Sequence, residues 1–169
     1  MRRRSLLAAI TAGSLGTSGC FSPFMNDCPD PEFEEEIEYE SNNPENLFES
    51  SSNGSVLIRR KEDINRFDSP NFSEEDKQWV ENTDFDNTWV IGIQVSSSSS
   101  SSDFELLGIE RKNEDDITAH TCLPTVDNSK VLVHYTRLLR IPHQDKIPRA
   151  IRVKHWEEGE KVVYEGLEG

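Results

Sequence analysis

His120 and His134 are the first residues in this chain of 169 whose types and spacing suggest chemistry. Ile117 to Leu123 and Val131 to Ile141 read as two strands, and a loop centred on Asp127 would make them a hairpin. Residues equidistant from Asp127 then face one another, which sets His120 across from His134 with Cβ atoms about 5 Å apart. Ile117, Ala119, Thr121 and Leu123 match Val131, Val133 and Tyr135 as the apolar side. Thr118, His120, Cys122, His134 and Thr136 are left on the other. Two imidazoles so placed can ligate a metal, but a zinc site takes three or four protein ligands. No Cys-x-x-Cys, His-x-x-x-His or His-Glu-x-x-His spacing supplies the rest, so the pair reads as exposed side chains and no metal or other cofactor is expected.

Other catalytic patterns are missing from the sequence. There is no Gly-x-Ser-x-Gly elbow and no Asp-x-Asp-x-Asp-Gly calcium loop, and no catalytic residue is assigned. Asn53-Gly54-Ser55 and Asn71-Phe72-Ser73 are glycosylation acceptor patterns, which matter only in an exported chain.

Export is what the first residues point to. Met1-Arg2-Arg3-Arg4-Ser5-Leu6-Leu7, followed by small and modestly apolar residues to Gly19, resembles a twin-arginine export signal. Thr17-Ser18-Gly19-Cys20 resembles a lipobox, with threonine where leucine is usual, so the thiol of Cys20 is expected to carry lipid after cleavage. The apolar run is shorter than the roughly 18 residues a membrane-spanning helix needs. The expected address is the outer face of the cell membrane, or the medium if Cys20 is not lipidated.

The full chain carries 18 basic and 32 acidic side chains, a formal charge of −14. Removing residues 1–19 takes away three arginines and no acid, which leaves 15 basic side chains and a charge of −17. Such acidity, with few lysines and a twin-arginine leader, resembles haloarchaeal envelope proteins. It argues against nucleic acid as a partner, because phosphate binding needs clustered lysine and arginine. With Cys20 set aside for lipid, Cys28 and Cys122 can pair outside the cytoplasm, closing a loop worth roughly 4 kcal/mol on the chain-entropy model. The alternative is two free thiols.

Residues 20–53 read as an acidic tether. Ten acids and no lysine or arginine lie between Phe21 and Asn53, although the alternation in Glu36-Ile37-Glu38-Tyr39-Glu40 suits one edge strand. The folded domain is expected over residues 54–169. Val56-Leu57-Ile58 opens it, Lys61 to Phe67 forms a short helix, and Ser73-Glu74-Glu75-Asp76 caps a second one carrying Trp79 and Val80. Trp89, Ile91, Ile93 and Val95 then share a strand face. The seven serines Ser96 to Ser102 suggest a mobile hairpin loop before a strand from Phe104 to Arg111. Ala150 to Trp156 and Lys161 to Tyr164 make a last hairpin around Glu158-Gly159. The fold class is mainly β: a single-domain antiparallel sandwich or partly open barrel with one or two short helices.

Val56-Leu57-Ile58, the helical piece, Thr83-Asp84-Phe85-Asp86 leading into Trp89-Val90-Ile91, the hairpin, and Leu138-Leu139-Arg140-Ile141-Pro142 follow one another as in the PrcB C-terminal-like domain. The chain resembles that family from about Gly54 to Val153. It departs from it where many members carry a Thr-x-Gly-Tyr-like segment, since the serine run and Asp103-Phe104 stand there instead. The family takes its name from a lipoprotein that stabilises a surface protease complex, and it brings no catalytic residues. The resemblance implies a non-enzymatic binding or stabilising module for another secreted or envelope protein. A small extracellular metal-binding protein or hydrolase using His120 and His134 is the alternative.

Overall fold

Trp89, Ile91, Ile93 and Val95 alternate with Val90, Gly92 and Gln94, and all seven are buried. A strand with both faces covered must lie inside a layered structure. These residues form the middle of β3 (Thr88–Ser99). The computed structural model describes residues 28–49, 53–67, 69–99, 104–113, 116–124, 128–142, 148, 150–157 and 160–166.

Two four-stranded sheets make a β-sandwich. The first contains β1 (Glu40–Asn42), β2 (Gly54–Ile58), β3 and β6 (Asn128–Pro142) in the order β1-β6-β3-β2, all antiparallel. The second contains β4 (Glu105–Asn113), β5 (Asp116–Leu123), β7 (Ala150–Glu157) and β8 (Glu160–Glu165) in chain order. Its β5 and β7 are parallel, because β6 crosses to the other sheet between them. That pair is the exception to the antiparallel expectation.

Two apolar layers follow from strand alternation. Between the sheets, Trp89, Ile91 and Ile93 of β3 and Leu139 and Ile141 of β6 meet Ile109, Ile117, Ala119 and Val153. On the outer face of the first sheet, Val56, Ile58, Val90 and Leu138 are covered by Leu47, Phe48, Phe67, Phe72 and Val80. Each large aliphatic side chain so buried contributes about 1.5–3 kcal/mol. The covering layer needs a flat spot at Gly92, where a Cβ would lie 2.5 Å from the Phe67 ring. Helix α1 (Glu74–Glu81) belongs to this layer, and Ser73 caps it as expected, its Oγ accepting from the Asp76 amide at 3.1 Å. A 3-10 turn at Lys61–Arg66 precedes it.

Four expectations are corrected. The folded unit includes residues ahead of Gly54, at least from Cys28 on: Ile37, Leu47 and Phe48 are 4 %, 0 % and 8 % exposed. Acids dominate that segment, yet its few apolar residues each find a slot in the sandwich. The edge strand falls at Glu40–Asn42 against β6, while Glu36 makes a single bridge to Glu110 of β4. The serines do not all form a loop, since β3 continues through Ser96 and Ser97, opposite His134 and Val133, to Ser99 opposite Asn128. Backbone pairing with the long β6 overrides the turn preference of serine. Finally, the β3–β4 and β5–β6 connections are crossovers between sheets, the habit of Greek-key sandwiches, and not hairpins. The β7–β8 hairpin is as expected.

Candidate functional site

The crossover from β5 to β6 separates the two histidines. His120 and His134 lie on the outer faces of opposite sheets, so Thr118, His120 and Cys122 share no face with His134 and Thr136. Among the described residues, no three of His, Cys, Asp and Glu come together as metal ligands.

His120 sits inside a buried charged cluster. Its Nε2 is 2.6 Å from Oε1 of Glu110 on β4, and Lys112 and Lys154 bring their Nζ atoms to 2.9 Å and 3.5 Å from the same carboxylate. Trp156 stacks on the imidazole and Phe33 closes it edge-on. Glu110 is 1 % exposed. Burial pushes its carboxyl up, and hydrogen bonds from Lys112 and His120 more than offset that, so the net shift is downward. Burial pushes His120 down against the pull of Glu110. A neutral imidazole donating from Nε2 to an ionised carboxylate satisfies both directions. Nδ1 is then buried without a hydrogen-bond partner among the described residues.

What covers this cluster is the segment from Cys28 to Ile37. The Ile37 amide donates to the Ile109 carbonyl and the Arg111 amide to the Glu35 carbonyl, each at 2.9 Å. Glu34 and Glu35 pair with Lys112 and Arg111. The Cys28–Cys122 disulfide fastens its start, with Cα atoms 5.7 Å apart. Sequence reading found the cysteine pair, while Glu110 and Phe33 carry no local signal of their roles.

Serine chemistry reappears at the far end of β3. Ser96 Oγ lies 2.8 Å from His134 Nδ1 on the adjacent strand. A serine and a base at that distance are half of a nucleophilic arrangement. The Ser96 amide, however, donates to Asn53 Oδ1 at 2.5 Å, so it is already committed and does not face an incoming oxyanion. On the inner face, Ser97 donates to Glu157, whose other oxygen is 3.9 Å from His155 Nε2. His155 is fully buried with Nδ1 at 3.0 Å from Thr121 Oγ1, and burial pushes its pKa down. This set packs the end of the core and is closed to substrate.

An accessible concavity lies elsewhere. A cleft of about 490 Å³ opens between Glu38 and Glu40 on one side and Asn82, Asp84 and Asn87 on the other. Arg140 of β6 also lines it, its guanidinium 3.9 Å from the centre of the Trp79 ring. The same side chain donates to Thr83 Oγ1 at 2.9 Å, to Glu40 at 3.1 Å and to the Trp79 carbonyl. Arg140 thus ties β1, β6 and the end of α1 into one polar wall. Carboxylates, amides and a fixed guanidinium suit recognition of a polar chain by hydrogen bonds. The Glu36 to Glu40 alternation was the sequence signal nearest to this site, and the pairing of Glu40 with Arg140, a century of residues apart, had none.

Of the remaining assigned residues, Asn53 is half-buried and Asn71 exposed. Cys20, the expected leader at 1–19, Ser100 to Ser102 and Glu158-Gly159 lie outside the described residues.

Fold and site together define a disulfide-closed β-sandwich with an open polar cleft beside Arg140. Comparison with protein-family models, curated proteins and solved structures yields no match. The functional reading accordingly rests on the residues of this chain.

Proposed function

We propose that this chain is an exported, lipid-anchored envelope protein whose sandwich binds or stabilises another secreted or envelope protein, without catalysis of its own. The Cys28–Cys122 disulfide carries the reading, because such bonds persist in oxidising compartments and are rare in the cytoplasm. It also shortens the leash. With Cys28 already fastened to the sandwich, at most seven residues separate Cys20 from it, a reach of no more than about 28 Å. Lipid on Cys20 would hold the sandwich close to the membrane, with the cleft at Arg140 offered to a polar segment of the partner. The twin-arginine leader, the acidity and the resemblance to the PrcB C-terminal-like domain support the same assignment.

A C-terminally tagged full chain, expressed in a halophilic archaeal host, tests it. Expected are a membrane fraction bearing a lipidated Cys20, release to the medium for Cys20→Ser, and Cys28 and Cys122 protected from alkylation in the unreduced, denatured protein. Mild crosslinking in high salt should recover one envelope protein reproducibly, and less of it from Asp84→Arg. A cytoplasmic chain with both cysteines alkylated overturns the reading, and recovery of no other protein overturns the stable-partner part of it.

A further inference from the structure

Strand β8 (Glu160–Glu165) forms one margin of the second sheet, and among the described residues it pairs only with β7. Val162 and Val163 are neighbours, so their side chains point to opposite faces of the strand. They are nonetheless 42 % and 46 % exposed. At these two positions both faces of the strand are therefore open, although the face that carries Val162 turns into the sandwich at Tyr164. The strand is held in place all the same: Tyr164 packs against the core between the sheets, and the Gly166 amide donates to the Ile151 carbonyl at 2.7 Å. An ordered edge with apolar side chains on both faces is a template for another strand.

The charges on β8 select the occupant. Consider a second copy adding its own β8 antiparallel about a two-fold axis through Val163. Val163 then meets Val163, Val162 meets Tyr164, and Lys161 meets Glu165 twice by symmetry. With the axis midway between Val162 and Val163, Glu160 meets Glu165 twice, a like-charge clash. With the axis through Val162, Lys161 faces Val163 and neither charge finds its opposite. A single register satisfies the valines and the ion pairs together.

We infer that β8 is a self-association edge through which two copies of this chain join their four-stranded second sheets into one continuous sheet. A charge of −14 per copy opposes association at low salt. At molar salt the screening length falls to about 3 Å, which removes the long-range repulsion and leaves backbone hydrogen bonds and valine contacts intact. Six residues of strand form a smaller contact than the roughly 800 Å² per partner of a standard interface. Association is therefore weak in free solution, and confinement of copies to one surface would raise its effective concentration.

Sedimentation equilibrium of the purified full chain in about 2 M KCl tests the inference over micromolar to millimolar concentration. The expected result is a reversible monomer–dimer equilibrium that weakens as salt is lowered. Lys161→Glu and Glu165→Lys should each weaken it by several-fold, about threefold at this screening, and the double variant should restore it because the exchanged charges meet again in that register. Val163→Lys should abolish it. All these side chains are exposed, so an unchanged melting temperature shows that the variants fold. A protein that stays monomeric throughout, or a double variant no better than its parents, overturns the proposal.

Discussion

The ring of Phe33 stands edge-on to the imidazole of His120, with 5.2 Å between centroids and 73° between planes. It fills the space a side chain at Gly108 would need, since a Cβ there would lie 2.6 Å from the ring. Gly108 also has φ +150, a conformation other residues rarely adopt. The acidic strap and the glycine on β4 are thus fitted to each other. Gly108→Ala is expected to cost about 1–3 kcal/mol through backbone strain and displacement of Phe33, read as a lower urea midpoint in high salt. A variant as stable as the parent would show that the strap does not pack there.

Acid should loosen the fold through its buried histidines. His120 and His155 both have pKa values pushed below the ordinary 6.5 by burial. As pH falls below 6.5 the unfolded chain takes up protons that the folded chain refuses, so stability declines with falling pH. Each histidine contributes at most about 1.4 kcal/mol per pH unit, until the folded-state pKa is passed. The Glu110 carboxyl, also shifted down, adds to the loss at lower pH, beginning near 4.5. His155→Gln should flatten the dependence of the urea midpoint between pH 6.5 and 5 relative to the parent chain. Parallel curves for the two proteins would show that His155 does not titrate with unfolding.

How much of this was legible in the sequence depends on the range of the forces involved. Strand β3 and helix α1 declare themselves locally, through the alternation at Trp89 to Val95 and the cap at Ser73. The cysteine pair was readable because setting Cys20 aside for lipid left two thiols, which the expected export would expose to oxidation. The sheet assignment of β6 was not. A strand alternates in the same way whether it returns beside its predecessor or crosses to the opposite layer, so the alternation alone sets His120 opposite His134. The burial of Glu110 was hidden for a similar reason. Glu110-Arg111-Lys112 looks like a solvated strand end until residues more than seventy positions earlier close over it. The cleft at Arg140 likewise depends on Glu40 arriving from outside the expected domain.

The two glycosylation patterns now differ in ways the sequence does not show. Asn53 spends its side-chain oxygen on the Ser96 amide, and Ser55, the hydroxyl residue of its pattern, is 0 % exposed inside β2. An enzyme acting on the folded chain would have to pull β2 from β3 to reach it. Asn71 and Ser73 are both exposed on the turn before α1, which Phe72 anchors from below, and Asn71 commits no more than its amide, to Ser69 Oγ at 3.2 Å, among the contacts described there. If the chain is exported to a surface that glycosylates proteins, modification is expected at Asn71 and not at Asn53. Intact mass of the chain from its natural membranes should show one glycan, lost in Asn71→Gln and unchanged in Asn53→Gln. A glycan on Asn53 would mean that the modifying enzyme meets the chain before β2 pairs with β3, and would date that pairing after export.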